Sequence, residues 1–66
     1  MKIKRWAIYD GIVKEYYYKR FFFRSNAERE VEGIIFYHTM DLLASGCDDP
    51  HLTLEEIESI KIVELE

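Results

Sequence analysis

One cysteine, one proline and three glycines are all that the 66 residues hold of the types that staple, break or sharply bend a chain. Cys47 has no second cysteine to pair with, so an internal disulfide is excluded and a reducing, cytoplasmic setting is expected. Three glycines do not make a phosphate-cradling loop. No apolar run approaches the ~20 residues that cross a bilayer, and no secretory apolar stretch follows the basic start from Met1 to Arg5. No membrane association is therefore expected. His38, Cys47, Asp48, Asp49 and His51 include metal-ligand types, but none of their spacings is that of a zinc site. A single cysteine with two histidines also lacks the neighbouring base and orienting group of a nucleophilic site. Neither metal nor cofactor is expected, and the chain reads as non-enzymatic.

Aromatic and charged residues are abundant. Ten aromatics supply most of the large core pieces of a single domain, which at this size buries only about 60% of its unfolded surface. Net charge is −4, unevenly spread. Residues 1–24 carry seven basic and two acidic groups, whereas residues 41–66 carry eight acidic groups and one lysine. The two halves either neutralise one another in the fold or steer a charged partner.

The organising stretch is Ser25 to Gly46, which reads as one long helix. Ser25 and Glu28 have capping-box spacing, and Gly46 stands where a left-handed stop is wanted. At 100° per residue, Ala27, Ile34, Ile35, His38 and Leu42 fall within about 60° of Val31, a core stripe that makes His38 a core histidine. Phe36, Met40 and Leu43 form a second apolar stripe about 120° to 180° away, with Gly33 near its edge. That second stripe needs a cover: the loop Cys47–Leu52 with the short helix after it, a second copy, or a target.

Ahead of the helix, Asp10-Gly11 predicts a type I′ turn. Tyr9 then faces Ile12, Ile8 faces Val13, Trp6 faces Glu15 and Ile3 faces Tyr18, and the second strand runs from Ile12 to Phe23. Being the longer strand, it overhangs or carries a bulge. Neither hairpin face is polar. After the helix, Thr53 and Glu56 repeat the capping-box spacing with Leu52 and Ile57 at staple positions, and Ser59 to Glu66 reads as a closing strand. The expected fold is α+β: a three-stranded antiparallel sheet with the last strand beside the first and the long helix on one face. Its core comprises Trp6, Ile8, Val13, Val31, Ile34, Ile35, Leu42, Ile57, Ile60 and Ile62.

The Trp-bearing strand Lys4-Arg5-Trp6-Ala7-Ile8, the aromatic second strand and the helix opening Ser25-Asn26-Ala27-Glu28 together resemble small phage-encoded inhibitors of host enzymes. Those of bacterial RNA polymerase and of uracil-DNA glycosylase are examples. The resemblance is one of architecture, and it implies a compact protein that occupies a surface of a larger host protein. Protein binding would fall to Phe36, Met40 and Leu43 with the acidic Glu55, Glu56 and Glu58, and a homodimer through the second stripe is expected as well. The alternative is single-stranded nucleic acid held by Tyr16, Tyr18, Lys19, Arg20 and Arg24, where cations alternate with stacking surfaces.

Overall fold

The computed structural model describes residues 4–65. Two strands, β1 (Trp6–Asp10) and β2 (Glu15–Tyr16), lead into the long helix α1 (Arg24–Ala44). A short helix, α2 (Leu54–Glu58), then returns the chain to β3 (Ile60–Glu64). The sheet is antiparallel in the order β2-β1-β3, so the last strand lies beside the first.

The pleat decides which side meets the helix. Trp6, Ile8 and Asp10 alternate with Ala7 and Tyr9, and the register sets Ile8 opposite Ile62 and Asp10 opposite Ile60. Ile8, Ala27, Ile34 and Ile60 are buried together, with Trp6, Ile12, Tyr17, Phe21, Val31, Ile35 and Ile62 packed around them. Tyr9 and Tyr16 meet edge-to-face at 5.1 Å and belong to the other face.

The hairpin departs from the Asp-Gly expectation. Its register pairs Tyr9 with Tyr16 and Asp10 with Glu15, leaving a four-residue loop, 11–14, whose left-handed residue is Lys14 at φ 60°. Asp10 is the last residue of β1, and its Oδ1 accepts the Ile12 N–H at 3.0 Å. Val13, expected in the core, stands at that tip and is 52% exposed. The expected second strand shrinks to two residues because the pairing breaks after Tyr17, whose N–H donates to the Ile8 carbonyl. Pairing resumes only at Phe21, which exchanges two backbone bonds with Trp6, so Tyr18, Lys19 and Arg20 bulge out as surplus chain. Ile3, expected opposite Tyr18, lies outside the described residues, as does Glu66.

The helix also starts early. Phe23 is its N-cap, no side chain caps it, and the Ser25–Glu28 box does not form. The Phe21 bridge fixes the chain two residues before the first turn, and Arg24 lies over the Trp6 ring (5.5 Å) while reaching Glu28 at 3.0 Å. Tertiary anchoring thus overrides the local box. The other end forms as the sequence implies: Gly46 (φ +86°) donates to the Leu43 carbonyl and Cys47 to that of Leu42, a Schellman stop. The Thr53–Glu56 box is present with both of its hydrogen bonds, and Leu52 ahead of it is buried.

Helix and sheet are mismatched in length. Twenty-one helical residues span about 31 Å, whereas a five-residue strand spans about 17 Å. The chain measures 48 × 16 × 16 Å, and its radius of gyration of 13.1 Å exceeds the about 11 Å of a compact domain of this size. Beyond His38 no residue of α1 is buried. The last turns of α1 therefore overhang the sheet.

Candidate functional site

Two regions of α1 carry features the fold does not consume: its outer face, and a cleft where it meets the hairpin.

The outer face holds Phe36 (66% exposed), Tyr37 (68%), Met40 and Leu43. Neither the loop after Gly46 nor α2 folds over this stripe, contrary to one of the expected covers. Leu54 of α2, at 71% exposure, adds to the apolar surface at the same end of the molecule. Acidic groups gather there: Asp41, Asp48, Asp49, Glu55 and Glu58 are exposed, and Glu56 is half-buried. Basic groups occupy the opposite end, where Lys4 lies over Phe22, Arg24 over Trp6, and Lys19 and Arg20 project from the bulge. Among the described residues the one lysine or arginine ion pair is Arg24–Glu28, so the halves do not neutralise each other by contact. This polarity runs against the helix dipole. The first turn of α1 holds no acid and the last no base, the reverse of what a helix favours.

Glu56 is only partly available to a partner. Its carboxylate accepts the Thr53 backbone N–H at 3.0 Å, and this bond, then the Thr53 hydroxyl, hold its pKa below the ordinary 4.5. A depressed carboxyl stabilises the fold above its unfolded pKa, and that contribution disappears as pH falls through the lower folded value. Glu56→Gln is therefore expected to lower the urea midpoint near pH 6, and to lower it progressively less as the pH falls below 4.5 and the wild type loses the same interaction.

The cleft, of about 400 Å³, lies between α1 (Glu30, Gly33, Ile34, Tyr37, His38) and the hairpin (Asp10, Val13, Tyr17). At its inner end His38 Nε2 and Asp10 Oδ2 are 2.6 Å apart, both side chains about nine-tenths buried. An ionised carboxylate can only accept, so its match on the imidazole is an Nε2–H donor. The core position of His38 is thus explained by a specific partner 28 residues away. At the outer end the Tyr17 hydroxyl donates to Glu30 Oε1 at 2.7 Å. That bond first, and burial second, hold the Tyr17 phenol above its ordinary pKa of 10, so it remains a donor at any physiological pH. Among the described residues no three His, Cys, Asp or Glu side chains come together as a metal site.

The candidates for nucleic-acid binding are dispersed. Tyr16 (60% exposed) packs on Tyr9, Tyr18 (83%) leans on Tyr17 at 4.7 Å, and Arg24 is engaged by Glu28 and Trp6. Lys19 and Arg20 alone project freely beside Tyr18 among the described residues. A depression of about 260 Å³ does gather Tyr16, Tyr17 and Tyr18, but with Asp10 and Glu15, which repel phosphate. What the sequence did not single out is Asp10, Tyr17 and Glu30 as site residues, since each meets its partner only through tertiary structure. No helix among the described residues is long and apolar enough to cross a membrane. The chain matches no known protein family, no characterised protein and no solved structure.

Proposed function

We propose that this chain is a non-enzymatic protein-binding module that acts by occupying a surface of a larger host protein, in the manner of the small phage-encoded inhibitors it resembles. The observation that carries this reading is the uncovered outer face of α1, where Phe36, Met40 and Leu43 stand in solvent on a helix that overhangs its own sheet. Aromatic and methionine side chains of this kind form the centres of interfaces. The acidic end around them, with Glu55, Glu56 and Glu58, selects a partner whose apolar cleft is rimmed by basic groups, and speeds their encounter.

The test is affinity capture from bacterial lysate followed by titration of the captured protein with wild type and variants. Met40→Glu sets a charge in the middle of the stripe and is expected to weaken binding at least 100-fold while leaving the circular dichroism spectrum unchanged. Glu55→Lys with Glu58→Lys is expected to slow association, with the difference shrinking in high salt. Equal affinity for wild type and Met40→Glu rejects this face as the binding surface. The same variant examines a homodimer, with the α1 helices antiparallel across a two-fold axis: sedimentation at tens of micromolar should show a dimer that Met40→Glu converts to a monomer.

A second reading rests on the bulge, where Tyr18, Lys19 and Arg20 protrude together. If the chain binds single-stranded nucleic acid there, affinity falls steeply with salt and drops on Lys19→Ala or Arg20→Ala. Absence of binding in a filter assay at low ionic strength excludes it.

A further inference from the structure

Gly33 is out of place by helix logic. It lies in the middle of α1, where glycine is less favourable than alanine because it leaves more backbone freedom to lose. Its φ is not in the left-handed region, and a Cβ built on it meets nothing within 4 Å. Neither backbone geometry nor neighbour contact in the folded chain therefore requires a glycine. Gly33 is exposed and lines a cleft between α1 and the hairpin, so a larger side chain there would crowd the rim of that cleft.

The cleft has the makings of a site for a particular charge. Val13, Ile34, Tyr17 and Tyr37 give it largely apolar walls, and among the described residues no lysine or arginine lines it. Glu30 stands at its outer end, with Oε1 taken by the Tyr17 hydroxyl and Oε2 making no hydrogen bond among the described residues. The Asp10–His38 pair closes the inner end, each side chain already engaged by the other. A cation on an apolar body is the complement: its charge meets the free Glu30 oxygen and the faces of the tyrosines, and its body lies over Gly33. We propose that this cleft binds a primary ammonium group carried on an apolar stem, from either a free amine or a lysine side chain of a protein. The proposal does not rest on the docking face, although Tyr37 borders both, and each can fail without the other.

The probes are 2-phenylethylamine, its neutral counterpart 2-phenylethanol, and Nα-acetyl-lysine amide, each titrated into labelled protein and followed by amide chemical shifts. Saturable shifts centred on Gly33, Ile34 and Tyr37 are expected with at least one of the two amines. The alcohol should bind at least tenfold more weakly than that amine. Preference for phenylethylamine assigns the cleft to free amines, and preference for the lysine derivative assigns it to a protein side chain. Glu30→Gln should weaken the amine at least tenfold. Gly33→Ala should raise the melting temperature and weaken binding together, and Gly33→Leu should abolish binding in a protein that still folds. No saturable shift with either amine, equal binding of the alcohol, or binding that survives Gly33→Leu overturns the proposal. A dimer that Gly33→Leu dissociates, with no amine bound by the wild type, assigns Gly33 to helix contact and overturns it as well.

Discussion

His38→Ala is expected to destabilise the protein by about 3–5 kcal/mol, because it leaves the Asp10 carboxylate buried without its partner. A chain of this length has roughly 3–10 kcal/mol of total stability, so the variant should lose from about a third to all of it. Asp10→Ala should be at least as damaging, since it removes both the His38 partner and the acceptor of the Ile12 N–H that shapes the hairpin loop. Asp10→Asn should be milder, because the amide oxygen can still accept from Ile12. Replacing both residues by leucine removes both buried polar side chains, and should cost less than the two single losses together. Urea unfolding of the four variants compares these losses directly. A loss below about 1 kcal/mol for His38→Ala, the scale of a solvent-screened pair, would show that the contact contributes little.

The same pair marks the limit of what the residues disclose in order. Features whose partners are near in sequence were legible. Gly46 ends α1 where its missing Cβ is needed, Thr53 and Glu56 cap α2, and the order of elements places β3 beside β1. Helical periodicity put His38 on the inner face, and apolar alternation put Trp6 and Ile8 on one side of the sheet. Two local signals misled, and both lost to longer-range contacts. Ser25 has cap chemistry, but with the chain anchored by the Trp6–Phe21 bridge the N-cap falls two residues earlier, at Phe23. Asp10-Gly11 has turn chemistry, but Asp10 is held by His38 and Gly11 by Ser59 just ahead of β3, so β1 runs to Asp10 and the reversal is spread over residues 11–14. In the candidate sites, the exposed stripe Phe36–Met40–Leu43 followed from the wheel. The cleft did not, because Tyr17 with Glu30 and Asp10 with His38 are 13 and 28 residues apart.

Gly11 supplies the other large effect. Its N–H donates to the Ser59 carbonyl at 3.1 Å, extending the β1–β3 pairing one step past Asp10. A Cβ on Gly11 would stand 2.6 Å from the Ser59 carbonyl oxygen and 2.6 Å from its Cβ, closer than real atoms approach. Gly11 is needed for this close approach and not for a left-handed turn. Gly11→Ala must push β1 and β3 apart at this end or give up the hydrogen bond, next to the Asp10–His38 pair. Overpacking costs about 1–3 kcal/mol and the lost bond alone about 1 kcal/mol, so a loss of about 1–3 kcal/mol is expected in urea unfolding. Ser59→Gly in the same chain removes the Ser59 Cβ and Oγ but leaves the backbone oxygen, and should restore only part of the loss. Gly33→Ala offers the opposite sign, a gain of up to about 1 kcal/mol, because its Cβ enters open space in a helix. Gly11→Ala as stable as wild type would mean that the ends of β1 and β3 can part freely, and that the close approach to Ser59 does not hold the hairpin in place.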